Sequence, residues 1–415
     1  MAARAGHRAG HRAGREPALS AGATVLLGVG ALAALSRWGA AGHIRKVLAP
    51  RWRLAPAPPE VQSGLTVSVC VPARNEAAVI DRLLDSLDRQ DHPRTEVIVC
   101  DDRSTDGTGD RARAHRCTVV PGSEPPEGWI GKQWALRHAA AAATGEVLCF
   151  VDADTWHDSA ALRTCLAFME AEGADVLVVV SGHALGSWSE RQVLPFLWAS
   201  LLSLISMEHA EDPARPNDAM GNGQFWLVRR AAYDRIGGHE RVKDRLVEDV
   251  AIVRELKRAG ARFRLRIGPT LTRTRMYTGW RALWAGLEKN AAITDPAQPV
   301  LSIALSVLSL VLTVFAELWP WIVAVLALAV GGAWAQPAVV GLAAVQLGFI
   351  LLGRSRVFAA LCDEASGTRL SRNPAVLLAQ PLGVLLGMVI MVNSLQAQLR
   401  GTTGWKGRRV KGRSL

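Results

Sequence analysis

Between about Leu65 and Gly182 the chain alternates short apolar runs with amphipathic stretches. Leu65–Val71 (LTVSVCV) predicts a strand ended by Pro72. Glu76–Gln90 predicts a helix, because Val79, Ile80, Leu83, Leu84 and Leu87 fall on one stripe, with Asn75 as its N-cap. Glu96–Cys100 predicts a second buried strand, Asp106–His115 a helix and Thr118–Val120 a strand. Gly131–Ala143 is Ala-rich and helical, Glu146–Val151 a strand, Ser159–Glu172 a helix and Asp175–Val180 a strand. This rhythm predicts an α/β domain with a mostly parallel sheet. In such sheets ligands bind beyond the carboxyl ends of the strands.

On either side of this domain the pattern changes. Residues 1–16 form a basic low-complexity tail containing the duplication AGHRAGHRAG. Pro17–Leu35 is apolar, uncharged and long enough to cross a bilayer, so 17–37 is read as a transmembrane helix. A cleaved signal peptide is the alternative, disfavoured because Arg37, Trp38, Arg45 and Lys46 follow in place of a clear cleavage site. Residues 38–64 form a linker, Pro-rich from Pro50 to Glu60, and 65–277 the α/β domain. Residues 278–293 hold an amphipathic interface helix with Trp280, Leu283, Trp284 and Leu287 on one face; a surface helix packed on the domain is the alternative. Residues 298–398 form an apolar region. Four crossings result if Val300–Ala335 is a hairpin turning near Glu317–Trp321; two crossings with a re-entrant piece is the other option. The basic tail 399–415 is expected to be cytoplasmic, as is the α/β domain of a multi-pass cell-membrane protein.

Composition supports this division. Among 415 residues, 49% are hydrophobic and 20% charged, which excludes a disordered chain. The 48 basic and 37 acidic residues exclude a membrane protein without a water-exposed part. The net charge of +11 reads as a footprint on an anionic membrane surface; no nucleic-acid-binding motif is present. The six cysteines show no CxxC pairing and are expected to be buried thiols in a reducing compartment.

Four polar clusters carry the candidate chemistry, three of them at strand ends. They are Pro72-Ala73-Arg74-Asn75-Glu76, Asp101-Asp102-Arg103-Ser104-Thr105-Asp106-Gly107-Thr108, Asp152-Ala153-Asp154, and Glu248-Asp249 opening a helix. Two carboxylates separated by one residue after a buried strand can offer oxygen to a hard divalent cation, which takes its other ligands from water and a diphosphate. Alone, such a pair is also an ordinary solvated turn. Glu76, Glu248 and Asp249 each also suit the first turn of a helix.

As a set, PARNE, CDDRSTDGT, GWIGKQWAL, VDAD and VEDV resemble the family-2 inverting glycosyltransferases of GT-A fold, over roughly Val67 to Gly260. The nearest likeness is to membrane-bound bacterial members that glycosylate lipids, including carotenoid and hopanoid-associated enzymes; RMYTGW at Arg275–Trp280 adds to it. The resemblance implies a Rossmann-like GT-A domain between N-terminal and C-terminal transmembrane helices. It implies that Pro72, Arg74 and Glu76 line the nucleotide site, that Asp102 contacts uracil beside Asp101, and that Lys132 lies near the phosphates. It further implies Asp152 leaning to the ribose, Asp154 with Asp152 at a Mg2+ or Mn2+ ion, and Asp249 as general base. The expected reaction is metal-dependent, inverting transfer of a hexose from a UDP-sugar to a membrane lipid of carotenoid, hopanoid or glycerolipid type. The QxxRW motif of processive polysaccharide synthases is absent, Arg273–Trp280 reading RTRMYTGW. A processive synthase and a nucleotide-sugar-sensing membrane protein remain the alternatives. Gly221–Phe225 (GNGQF) suits close backbone approach to a sugar or a turn before a strand, and Leu194–Ser206 suits either a membrane dip or a buried helix. His183 and His239 could line the site, but a lone histidine is more often structural and both are left out of the candidate set.

Overall fold

The computed structural model describes residues 20–290, 299–400, 404–405 and 408–409. The expected basic tails fall largely outside the described residues.

A long helix α1 (Ala21–Val47) comes first. The strands are β1 (Val67–Ala73), β2 (Thr95–Asp101), β3 (Thr118–Pro121), β4 (Val147–Val151), β5 (Thr155–His157), β6 (Val176–Val180), β7 (Gly182–His183), β8 (Phe225–Arg229), β9 (Phe263–Ile267) and β10 (Thr272–Thr274). Among them run α2 (Ile80–Asp88), α3 (Thr108–Arg113), α4 (Gly131–Ala142), α5 (Ala161–Ala171), α6 (Trp188–Leu204), α7 (Met207–Glu211), α8 (Arg230–Arg235) and α9 (Glu248–Arg258). The chain continues through α10 (Trp280–Asn290), α11 (Pro299–Thr313), α12 (Trp319–Ala329), α13 (Pro337–Val357), α14 (Asp363–Ser366), α15 (Pro374–Leu378) and α16 (Gln380–Leu399).

The main sheet has seven strands in the order β3-β2-β1-β4-β8-β6-β9. All its neighbours pair in parallel except β8, which runs antiparallel to β4 and β6. This is the predicted α/β layout, a mostly parallel sheet. Strand alternation sorts the core onto two faces. Val69, Val71 and Cys149 pack with Leu83, Leu84 and Leu166 on one side. Cys70, Leu148 and Phe150 pack with Leu136, Trp226 and Leu256 on the other. That second core runs on without a break into Val357 and Phe358 beyond the α/β unit, and into Ile390 on α16. A small sheet, β5-β10-β7, sits beside the carboxyl end of β4.

Three expectations need correction. Asn75 does not cap α2; it has a left-handed φ of 52°, its side chain accepts from Thr105 N, and the helix starts at Ile80. The helix predicted over 17–37 runs to Val47, because Ala41, Ile44 and Val47 are buried and Arg45 and Lys46 suit its carboxyl end. There is also no hairpin at Glu317–Trp321. The helix is continuous from Ile303 to Ala329, so among the described residues three helices long and apolar enough to cross a membrane follow the α/β domain, together with one before it. A π turn at Val314–Leu318 places Pro320 in the first turn of α12, where its missing N–H is tolerated. Glu317 needs no water because Arg37 pairs with it at 2.6 Å.

α6 shows how the apolar helices are tied to the α/β domain. Pro195 inside it cannot donate to the carbonyl of Arg191. Arg354 on α13 supplies that donor, its Nη2 reaching Arg191 O at 3.0 Å and Gln192 Oε1 at 2.9 Å.

Candidate active site

Two groups of predicted residues lie at the carboxyl end of the sheet. The first follows β1 and β2. Pro72 is near the end of β1, paired in register with Cys100. Arg74 Nη1 donates to Asp102 O at 2.6 Å and lies 3.9 Å from Asp102 Oδ2. Asp102 N donates to Ala73 O, which closes the two loops onto each other. Burial pushes the Asp102 carboxyl above its ordinary range, against the pull of Arg74 and Arg103. Asp101 Oδ1 accepts from Ser104 N at 3.0 Å, and Glu76 N donates to Thr108 Oγ1 at 2.8 Å. Asn75 and Arg103, both with left-handed φ, sit in these two loops. Such backbone concentrates at ligand-binding sites.

The second group converges from α4, β4, β8 and α9. Lys132, in the first turn of α4, places its ammonium 2.8 Å from Asp152 Oδ1 and 2.7 Å from Glu248 Oε1. Asp249 Oδ2 accepts from Gly223 N at 2.7 Å, and its Oδ1 from Val250 N at 2.8 Å. Lys132, Asp152, Gly223, His239, Glu248 and Asp249 line one small cavity together with Phe150 and Trp226. Glycine is required at position 221, and position 223 is tight. A Cβ on Gly221 would stand 2.2 Å from the Asp249 carbonyl oxygen, and one on Gly223 would stand 3.1 Å from Lys132 Nζ.

Asp154 is not among the residues that line this cavity. Its carbonyl accepts from Arg275 N at 3.3 Å and Arg82 Nη2 at 3.3 Å, which ties the end of β4 to β10 and α2. No group of three or more His, Cys, Asp and Glu that could cage a metal occurs among the described residues. Asp152 and Asp154 offer a sparse all-oxygen set, the kind that suits Mg2+ or Mn2+ carried mainly by water and phosphate.

Residues 68–237 match the glycosyl transferase family 2 profile. The chain carries a family 2 glycosyltransferase domain. The match extends to 4,4'-diaponeurosporenoate glycosyltransferases of Staphylococcus aureus. With the protein of strain bovine RF122 / ET3-1 it is 30% identical over 192 residues, 45% of this chain and 50% of that protein. With that of strain USA300 it is 30% identical over 191 residues, again 45% and 50%. The chain thus spans about half the length of the curated relatives it matches. A mannosyltransferase from Pyrobaculum calidifontis, solved in complex with GDP-Man and Mn2+, shares the fold with a TM-score of 0.50 at 18% identity, covering 90% of this chain and 99% of that one.

Two residues outside the predicted set, both just beyond the matched stretch, join the site. Glu248 is the second partner of Lys132, and its place beside Asp249 in the sequence was the available signal. His239, left among the structural residues, lines the cavity wall; its Nδ1 is 2.7 Å from Tyr233 Oη and burial drops its pKa to about 3. His183 packs on Trp198, away from the cavity lining.

Electrostatics divides the roles. Burial alone would lower the Lys132 pKa, but Asp152, Glu248 and Asp249 outweigh it and keep the ammonium charged. Asp249 is pushed up to about 6 by burial and by Glu248, against Lys132 and its two amide donors. A carboxylate raised in this way is still mostly ionised at pH 7 and holds a proton better than a surface Asp. A general base at this position would act in its ionised form, so kcat/KM is expected to fall tenfold per pH unit below about pH 6. A pH–rate profile checks this; a flat profile down to pH 5 contradicts it.

Proposed function

We propose that the protein is a membrane-anchored inverting glycosyltransferase that moves a hexose from a UDP-sugar to a lipid acceptor of carotenoid, hopanoid or glycerolipid type. The observation that carries this reading is the single cavity in which Asp249, raised to about 6, faces Lys132 and Asp152 at the end of β4. The four apolar helices, and the core the α/β domain shares with them, support a membrane acceptor. The free cysteines and the donor type favour a catalytic domain on the cytoplasmic side of a multi-pass protein.

In this mechanism Asp249 takes the proton of an acceptor hydroxyl as its oxygen attacks the anomeric carbon; an acceptor carboxyl group, already ionised near neutral pH, would attack as the carboxylate. The bond to the nucleoside diphosphate breaks on the opposite face, and no covalent nucleophile on the protein is needed. Lys132 sets positive charge beside the departing diphosphate. Arg74, Glu76, Asp101 and Asp102, with Pro72, would hold the nucleoside. Asp154, with Asp152, would hold a Mg2+ or Mn2+ ion, which stabilises the charge of the leaving group when bound.

The direct test adds labelled UDP-glucose, and then other UDP-sugars, to membranes containing the protein, followed by organic extraction. Label is expected in the lipid phase with Mn2+ and is expected to disappear with EDTA. Label confined to a long water-soluble product, or donor binding without turnover, sinks the proposed reaction.

A further inference from the structure

The strongest unassigned feature lies among the apolar helices, outside the transfer site. Arg37 on α1 pairs with Glu317 in the π turn, Gln380 Nε2 donates to the other Glu317 oxygen at 2.8 Å, and Trp321 Nε1 donates to Gln380 Oε1 at 3.0 Å. This chain closes one side of a cleft that is partly open to the outside and encloses about 30 Å3 of free space. Its other walls are Phe196 and Ala199 on α6 and Ile350 and Arg354 on α13.

Charge in this cleft does not balance. Two guanidinium groups line it against one carboxylate, that of Glu317. Arg354 is 4% exposed, and its guanidinium is spent on neutral oxygens of α6 and Val376. The Nε of Arg37 and the Nε of Arg354 are both buried without a hydrogen-bond partner. An ionisable group among apolar helices is costly unless compensated, and its usual compensation is a partner of opposite charge. An excess cation in an apolar cleft open to the surroundings suits one kind of molecule, with an anionic head and an apolar tail.

We propose that this cleft binds one anionic amphiphile, with its carboxylate or phosphate head on Arg37 and its tail along Phe196, Ala199 and Ile350. The site is separate from the sugar-transfer cavity and rests only on the membrane reading of the apolar helices. The competing role for the Arg37–Glu317 pair is a purely structural tie between α1 and the rest of the bundle. The two roles predict opposite consequences for Glu317→Gln. In a lipid site it frees Arg37 and strengthens anion binding; in a structural tie it costs stability and gains nothing.

The test uses the full chain in a nonionic detergent, with no sugar donor present, and measures binding of phosphatidylglycerol, phosphatidylcholine and oleate by native mass spectrometry. One phosphatidylglycerol or one oleate per chain is expected, about fivefold or more above phosphatidylcholine. Whichever anion binds more tightly identifies a phosphate or a carboxylate head as the better fit. Arg37→Gln is expected to erase the preference, Glu317→Gln to increase it, and Ala199→Trp to block binding by filling the cleft. Equal binding of phosphatidylglycerol and phosphatidylcholine without oleate binding overturns the assignment. So does an anion preference that survives both Arg37→Gln and Ala199→Trp. If Arg37→Gln fails to fold, Glu317→Gln decides: a gain in anion binding supports the site, and lost stability without that gain overturns it.

Discussion

Asp249→Asn is expected to reduce transfer by about 10²–10⁴-fold while leaving nucleotide-sugar binding close to unchanged. The substitution keeps the shape. An amide oxygen can still accept from Gly223 N or Val250 N, the two donors that hold the carboxylate now. What is lost is the negative charge and the capacity to take a proton. Asp249 opens α9 with both oxygens engaged by backbone amides, so its position is set by the fold rather than by the substrate. The groups that would hold the nucleoside, around Arg74 and Asp102, are joined to each other and not to Asp249. The loss should therefore appear in kcat with KM for the donor nearly constant. Steady-state kinetics with donor binding measured in parallel checks it. A mutant that loses donor binding in the same proportion would show Asp249 to be a donor-binding residue and not the base.

Lys132→Met is expected to be nearly as damaging, by a different route. The ammonium is the cation that Asp152 and Glu248 share, and it faces Asp249 across the same cavity. Methionine preserves length and apolar packing but leaves three carboxylates crowded in partly buried surroundings. Like charges there disfavour ionisation. Lys132 is one of the influences that hold the Asp249 pKa down to about 6, so its removal raises that pKa further. Two effects should be separable in one experiment. At pH 7 kcat/KM falls about 10²–10³-fold, from lost leaving-group stabilisation and from a partly protonated base. The acid limb of the pH–rate profile moves upward, so part of the activity returns at pH 8 to 9. A uniform loss with an unmoved acid limb would mean that Lys132 acts on the diphosphate alone.

Much of the α/β unit was legible because its signals are local. A strand buried on both faces must be a continuous apolar run, and LTVSVCV, EVIVC, EVLCFV and DVLVVV are such runs. The acidic clusters follow them directly, so their placement at strand ends needed only the chain order. Asn75 misled because its helix-capping look competes with its fitness for a left-handed turn, and the side chain of Thr105 and its backbone decided the matter through contacts 30 residues away. Glu317 and Pro320 likewise looked like a turn because a charge and a proline inside an apolar run usually need water and a helix end. A π turn absorbed the proline, and Arg37, 280 residues earlier, absorbed the charge.

The amino-acid sequence by itself determined the parallel α/β layout, the apolar segments and the identity of the carboxylates at the strand ends, because each depends on periodicity or on immediate neighbours. Tertiary structure alone decided which of those carboxylates meet. Lys132 gathers Asp152 and Glu248 from elements 20 and 116 residues downstream, and Gly223 fixes Asp249 through a backbone amide that carries no side-chain signal. Long-range approach of this kind depends on how the sheet and helices pack around Phe150 and Trp226, and packing is a property of the assembled chain rather than of any segment.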